Sequence, residues 1–271
     1  GALRFTSHSA SFVAVERGYF AEAGLDVELR FFQAAQPMAV AIASGDVDYA
    51  VTAVSGGLIS LADKGAVKVI GGGLTEEPGI DGQKILASDA AFQAGLTAPA
   101  GLAGKKFGIS TAGSSFHYMG SKVAQAEGIE MSFTPLQKVG AIISDYLPNY
   151  QVTTVFTSTD NADNQRDQTQ AFLNGFSKGV ADYNAAMIEK TGGAEGEKEM
   201  VDLIHKYVYE DQPIEKASKS IINGTMRLNE GAKMNVASLR DQLEWFQSEG
   251  LVDAGITLDT FVDTSYVETY E

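Results

Sequence analysis

The chain has 271 residues, of which 44% are hydrophobic and 20% are charged, a composition typical of a folded protein with a sizeable core. Its 35 acidic and 20 basic residues give a net charge of −15. A nucleic-acid-binding protein needs a cationic surface that displaces counterions, so the composition argues against that class. The absence of cysteine excludes disulfides, thiolate nucleophiles and cysteine–zinc sites.

Neither a membrane span nor a secretory leader is visible in the sequence. No stretch approaches the roughly 18 apolar residues that a membrane span needs. The chain begins abruptly at Gly1 with a strand-like "LRFTS", which indicates a mature or trimmed protein.

The first quarter of the chain alternates between strand-like and helix-like segments. Helices are predicted to end at Gly24, Gly45 and Gly65, and Pro37 fits a first helical turn. Such alternation with short connections predicts an α/β fold with mainly parallel sheets. The strands predicted here span residues 3–6, 27–32, 49–53 and 67–70.

The middle of the chain predicts a second lobe. The segment 71–104 is rich in Gly, Ala and Pro and indicates a crossover. It precedes a predicted strand at 106–110, a helix at 115–127 that ends at Gly128, and a strand at 131–136. The β-branched segment "QVTTVFT" at 151–157 predicts a strand that leads back to the first lobe.

The last third of the chain is predicted to be helical. Apolar side chains recur there at helical spacing, which is typical of faces that pack into a core. Trp245 and His205 lie in these helices and are interpreted as structural. The stripes consist of Phe172, Leu173, Phe176, Val180 and Tyr183, of Met200, Leu203, Ile204 and Tyr207, and of Leu239, Leu243 and Phe246.

Small polar loops follow the predicted strands, at 7–11, 34–36, 52–57 and 110–115. In open α/β sheets, ligands bind outside the carboxyl ends of the strands. Each loop precedes a helix, whose N-terminus offers unpaired N–H groups and a partial positive charge that suit an anion. A single Ser or Thr at such a position is usually a helix cap, so the prediction rests on several loops converging.

The predicted ligand-binding residues are polar or aromatic members of these loops and their neighbours, and no catalytic residue, metal site or cofactor is predicted. They are Ser7, His8, Ser9, Phe12, Gln36, Thr52, Ser55, Gly56, Thr75, Thr111, Ser114, Ser115 and His117. Further aromatic residues could form walls for a flat ligand: Phe116, Tyr118, Tyr146 and Tyr150. Because no arginine lies in the loops, a small doubly charged anion is disfavoured. The aromatic residues favour an organic anion or an aromatic or heterocyclic acid.

The acids in "SGDVDYA" raise the alternative of a carboxylate pair or a metal site. Asp46 and Asp48 flank Val47, which is predicted to point inward. In a helix-to-strand turn, Asp turns or caps the backbone, so we assign both acids to the turn.

Three phrases carry a resemblance to a known family: "SFVAVERGYFAEAGLDVEL", "AIASGDVDYAVTAVSGGLISLADKGAVKVIGG" and "LAGKKFGISTAGSSFHYM". In this order and spacing they resemble solute-binding proteins of ABC importers, in the nitrate/sulfonate/taurine and thiamine-pyrimidine-precursor group. The resemblance covers roughly residues 1–140. It implies a two-lobed type II periplasmic-binding-protein fold with helices on both sheet faces and two crossovers. Residues 1–75 and 158–271 would form lobe 1, and residues 76–157 would form lobe 2.

The resemblance implies a function without catalysis. The protein would capture a sulfonate, carboxylate, or aromatic or heterocyclic acid by hinged closure, as in a Venus flytrap, and deliver it to an ABC permease. We expect a monomer that is periplasmic or lipid-anchored outside the cell. The alternatives are an enzyme of the same fold, of the menaquinone-pathway type, or a ligand-sensing domain of a larger receptor. Enzymes of this fold that depend on cysteine are excluded.

The resemblance also predicts a second "S/K-G-x-V-D-A" phrase in lobe 2, which does not appear. A helix is predicted at 136–143, and the chain then continues directly to "SDYLPNYQVTTVF". A parallel crossover needs a dozen or more residues, so about 35 residues of the expected pattern are absent. We predict that lobe 2 is incomplete near 140–146, through a deletion, a trimmed chain or, as the favoured reading, an omitted segment.

Overall fold

The computed structural model describes residues 1–80, 82–135 and 146–271. None of the helices in these ranges is long and apolar enough to cross a membrane. The described α-helices are α1 (Ser9–Glu16), α2 (Tyr19–Glu22), α3 (Ala35–Ser44), α4 (Gly56–Asp63), α5 (Asp89–Gln93), α6 (Ser115–Glu127), α7 (Thr159–Asn164), α8 (Arg166–Met187), α9 (Gly193–His205), α10 (Ile214–Asn223), α11 (Val236–Ser248) and α12 (Leu258–Phe261). The described strands are β1 (Tyr49–Thr52), β2 (Val67–Thr75), β3 (Lys106–Ile109), β4 (Ser132–Pro135), β5 (Gln151–Ser158), β6 (Met234–Asn235) and β7 (Thr269–Tyr270).

The three-stranded sheet corrects the prediction of mainly parallel pairing. Its order is β1–β5–β2, and β5 is antiparallel to both neighbours. Thr157 of β5 lies opposite Tyr49 on one side and Lys68 on the other. The strand that leads back therefore inserts between two earlier strands and runs against them. The prediction of parallel pairing holds for β3–β4. The short strands β6 and β7, which were not predicted, are also parallel.

Two predicted strands, at 3–6 and 27–32, do not form as regular strands. Their pairing is limited to one parallel bridge between Ala2 and Phe31. Thr6–His8 instead forms a 3₁₀ turn, in which the His8 amide donates to the Phe5 carbonyl at 3.0 Å. This turn takes the chain into α1 within a few residues and leaves no room for a longer strand.

The local signals for helix boundaries are confirmed. The predicted helix at 115–127 coincides with α6, and Gly128 ends it in the left-handed conformation with φ of 63°. Gly24 and Gly65 follow α2 and α4 with φ of 79° and 71°. A residue with a Cβ is strained in this conformation, which is why glycine ends helices so often.

The helical last third supplies much of the core, as predicted. Most of the predicted stripe is buried, namely Phe172, Leu173, Phe176, Val180, Tyr183, Met200, Leu203, Ile204, Leu239, Leu243 and Phe246. Tyr207 lies beyond α9 and is half-buried. Helix α8 packs closely on α1, because Gly179 faces the Ala10 carbonyl and any Cβ there would overlap it.

Polar side chains attach the C-terminal region to the strands β2 and β5. The fully buried Gln151 donates to the Leu74 carbonyl at 3.0 Å and accepts from the Asn235 amide at 2.9 Å. Its own carbonyl accepts from Gln242 at 3.1 Å. These bonds join β2, β5 and α11 in one buried network. The predicted helix at 136–143 and most of the predicted break at 140–146 lie outside the described residues.

Candidate functional site

The loop between β1 and α4 meets the loop between β3 and α6. The Gly56 amide donates to the Gly113 carbonyl at 3.0 Å. Ser55 caps α4 by accepting from the Leu58 amide at 3.2 Å, and Ser114 caps α6 by accepting from the His117 amide at 3.3 Å. The N-terminal ends of two helices, each with a partial positive charge, therefore lie next to each other.

Gln36 belongs to the same group of residues. The side chain is exposed and lies over Gly57, where any Cβ would overlap its amide. Because Gly57 has no side chain, Gln36 of α3 can reach the first turn of α4. The structure brings Gln36, Ser55, Gly56 and Ser114 together, four of the predicted site residues.

His117 is held in a defined position beside these helix ends. Its Nδ1 accepts a hydrogen bond from the Gly113 amide at 3.2 Å. The ring packs edge-on against Phe133 at 4.5 Å and Trp245 at 5.1 Å between centroids. Burial lowers the pKa of His117, and Glu249 opposes this shift. The ring is therefore favoured in its neutral form, with Nδ1 as an acceptor.

Three predicted residues near the N-terminus lie inside the protein. His8 is 2% exposed, and its Nδ1 accepts from the Leu3 amide at 3.3 Å. Burial and the nearby N-terminal amine lower the pKa of His8 to about 3, so the ring is neutral. Phe12 stacks on Tyr207 at 4.8 Å in the core, and the Ser9 hydroxyl is buried without a partner among the described residues. Their contact with a ligand stays a prediction.

The other predicted residues differ in exposure. Thr52 is buried, and its carbonyl accepts from the Thr154 hydroxyl at 3.2 Å. Ser7 and Ser115 are half-buried, whereas Thr111 is exposed. Two proposed aromatic walls, Tyr118 and Tyr150, are buried and pack on each other at 5.2 Å. Phe116 and Tyr146 are half-buried.

A cavity of about 440 Å³ includes Thr75 of the predicted residues. The Thr75 hydroxyl accepts from Asn229 at 2.8 Å and from Tyr270 at 3.2 Å. The wall also carries Arg227, which pairs with Glu77 at 3.0 Å. The sequence analysis missed Arg227, Asn229 and Tyr270, because they lie far from any strand-end loop and carry no local motif.

The acids of "SGDVDYA" lie in a turn, as predicted. The Ser44 hydroxyl donates to the Asp46 carboxylate at 2.8 Å, and the Asp46 amide donates to the Ala41 carbonyl at 2.9 Å. Val47 is buried between the acids. A second cavity of about 260 Å³ lies beside Asp46 and Asp48. Among the described residues, no group of three or more His, Cys, Asp or Glu could hold a metal ion.

Solved structures place the molecule in the class of proteins with the periplasmic-binding-protein fold. The alkanesulfonate-binding protein SsuA from Xanthomonas axonopodis pv. citri, bound to MOPS, matches with a TM-score of 0.70 and 12% identity over 97% of both chains. The nitrate-binding protein NrtA from Synechocystis PCC 6803 matches with a TM-score of 0.69 and 14% identity, over 97% of this chain and 84% of that one. The ligand-binding component of an ABC-type import system from Staphylococcus aureus, with zinc bound, matches with a TM-score of 0.67 and 15% identity, over 98% of this chain and 96% of that one.

The family follows from the sequence itself. The NMT1/THI5-like family model matches residues 5–144, which is more than half of the chain, and the chain belongs to this family. This confirms the resemblance carried by the three sequence phrases. A comparison with curated proteins found no significant match.

Proposed function

We propose that the protein is an extracytoplasmic solute-binding protein that captures a small organic anion and delivers it to an ABC permease. The observation that carries this proposal is the meeting of the α4 and α6 N-termini at Gly56 and Gly113. Helix N-termini present N–H donors and a partial positive charge, which stabilise a bound anion. Two of them at one place provide such a site within the periplasmic-binding-protein fold.

The proposed lobes are residues 1–75 with 158–271 and residues 76–157. The pairing of β2 with β5 continues just past Thr75, where the Glu76 amide donates to the Tyr150 carbonyl at 2.8 Å. The chain therefore leaves the three-stranded sheet after Thr75 and re-enters it beside that point at Gln151, several residues before the proposed bound at 157. Two segments that pass side by side in this way are what a hinge between two lobes requires. A ligand that contacts both lobes would stabilise the closed arrangement by its differential affinity for it.

The proposed ligand is a sulfonate, a carboxylate, or an aromatic or heterocyclic acid. Support comes from the helix N-termini, from the neutral His117 beside them, and from similar proteins named for alkanesulfonate and nitrate binding. The Gly56, Leu58 and His117 amides already donate within the protein, so the anion would accept hydrogen bonds from the other first-turn amides and from Gln36. An aromatic group would pack near His117 and Trp245.

The location and partners follow from the same proposal. SsuA from Escherichia coli and NrtA are both described as periplasmic, which supports a periplasmic or lipid-anchored protein. We propose a monomer that engages a permease. Most of the named structural matches are binding proteins, although a mutant of DszB in complex with biphenyl-2-sulfinic acid also matches with a TM-score of 0.52. We assign no catalytic residue.

A thermal-shift series tests the proposal. The purified protein is titrated with alkanesulfonates, nitrate, aromatic carboxylates and pyrimidines, and each hit is measured by calorimetry. A ligand at 100 times its Kd stabilises the folded state by about 2.7 kcal/mol, which is readily measured. Stabilisation by an organic anion supports the proposal. No stabilisation by any member of the panel, together with turnover of another compound, would overturn it.

A further inference from the structure

Glu76 occupies an unusual position, directly after β2 and beside the start of β5. Its amide donates to the Tyr150 carbonyl at 2.8 Å, and its carbonyl accepts from the Asn149 amide at 2.9 Å. Both backbone groups of Glu76 are therefore bonded to the segment 149–150. The residue is only 1% exposed, which is rare for a glutamate without a charged partner.

The carboxyl group is covered by the segment that follows it. Its Oε1 accepts from the Gln83 amide at 2.9 Å. Its Oε2 has no hydrogen-bond partner among the described residues. Gly82 lies directly against Oε2, so that any Cβ there would overlap the oxygen. Gly82 thus shields Oε2 from water, although Glu76 also lines the cavity beside Thr75.

No counter-charge compensates the Glu76 carboxyl among the described residues. Arg227 forms ion pairs with the neighbouring Glu77 at 3.0 Å and with Glu189 at 3.4 Å, and not with Glu76. On the same side of the strands, Lys233 pairs with Glu268 at 2.8 Å. Glu230 adds a further acid to the nearby cavity.

Two further titratable groups lie close to the carboxyl. The Tyr150 hydroxyl is buried and has no partner among the described residues, and the nearby Glu76 contributes to the raised pKa of Tyr150. Lys84 follows Gln83 and takes part in an interaction. It is burial that favours a neutral carboxyl at Glu76.

Burial raises the pKa of Glu76 to about 7, although the hydrogen bond from Gln83 lowers it. A buried ionised carboxylate without a counter-ion is costly, and the group either takes up a proton or becomes solvated. Because Gly82 covers Oε2, solvation requires a local movement of the chain. The charge state and the position of residues 82–83 are therefore coupled.

We infer that Glu76 is a protonation switch. When its carboxyl is neutral, Gly82 and Gln83 stay packed against it beside β2 and β5, and when the carboxyl ionises, these two residues move away. The folded-state pKa lies above the ordinary value of 4.5. The stabilising contribution is therefore fully present below pH 4.5 and is lost as the pH rises through about 7. The switch depends on the local contacts alone and holds whether or not the protein binds an organic anion.

Hydrogen–deuterium exchange of the full chain tests the switch. Exchange in peptides that contain Gln83 is compared about one pH unit below and about one above the pKa, after correction for intrinsic rates. The wild type is expected to exchange roughly tenfold faster at the higher pH. Glu76→Gln, which cannot ionise, should show no such increase. Glu77→Gln is the matched control, because its carboxyl pairs with Arg227, and it should respond like the wild type.

An equal pH response in the wild type and in Glu76→Gln would overturn the inference. A carboxyl ¹³C titration of the wild type provides a second measurement that does not depend on how the variants fold. A Glu76 midpoint near neutral pH supports the switch, and a midpoint near the ordinary value for glutamate would contradict it.

Discussion

The Gly56 amide donates a hydrogen bond of 3.0 Å to the Gly113 carbonyl and thereby joins the first turn of α4 to the loop before α6. Gly56 is the first residue of α4, and its amide, which has no acceptor within the helix, is satisfied by the Gly113 carbonyl. Gly113 has φ of 72°, a conformation that favours glycine. The two helix ends that were predicted as ligand walls are therefore already in contact through their backbones.

The role of Gln36 is tested by Gly57→Ala. The new methyl group overlaps the Gln36 amide, which is the end of a flexible and exposed side chain, so the protein should fold while Gln36 moves away. Affinity for the best ligand of the panel should fall roughly tenfold, measured by calorimetry. Gly56→Ala is the control, because its methyl group meets Phe246 at an ordinary 3.6 Å. Equal affinities of the two variants would contradict the assignment of Gln36.

The helix caps should contribute measurably to stability. Ser55→Ala and Ser114→Ala each remove an N-cap hydrogen bond, and each should lower the free energy of unfolding by about 1 kcal/mol. Urea denaturation measures the effect. Ser60→Ala is the control on α4, because the Ser60 hydroxyl only donates back to the Gly56 carbonyl and stabilises little. A loss from Ser60→Ala as large as that from Ser55→Ala would argue against the capping role.

The close packing of α1 and α8 depends on Gly179. A methyl group there would overlap the Ala10 backbone, which cannot move as a flexible side chain can. Gly179→Ala should therefore destabilise the protein by roughly 2 kcal/mol, within the range for overpacked cores. Gly196→Ala in α9 has open space and should stabilise by about 0.5–1 kcal/mol, because alanine is the better helix former. Thermal unfolding of both variants checks the opposite signs.

Acid should destabilise the protein through His8. Its folded-state pKa of about 3 lies below the ordinary 6.5, so the unfolded chain binds the proton first as the pH falls. The contribution of neutral His8 to the free energy of unfolding is fully present above pH 6.5 and is lost towards pH 3. Between these values, the free energy of unfolding falls by about 1.4 kcal/mol per pH unit.

His8→Gln keeps an acceptor for the Leu3 amide but cannot take up a proton. The difference in unfolding free energy between wild type and variant should therefore shrink as the pH falls below 6.5. A difference that does not change with pH would show that His8 is not buried in its neutral form. The slope has the opposite sign to that of Glu76, so the two contributions are separable.

Local features of the fold could be predicted because their causes lie within a few residues. The end of α6 at Gly128, the caps Ser55 and Ser114, and the apolar stripe on α8 all follow from backbone conformation, capping or helical spacing. The family also followed from short phrases in fixed order, and the family model confirms it.

The amino-acid sequence by itself determined several helices with their ends and the loops that carry polar residues, since these depend on neighbours along the chain. It did not indicate the short helix α5, which lies in the segment interpreted as a crossover. Only the tertiary structure decided that β5 runs antiparallel between β1 and β2, because strand pairing depends on residues about a hundred positions apart. It also decided that Phe12 is core, that Arg227 reaches the cavity beside Thr75, and that Glu76 is buried without a counter-charge among the described residues. The burial of side chains and the pairing of strands arise when segments distant in sequence pack together, so no local sequence pattern encodes them.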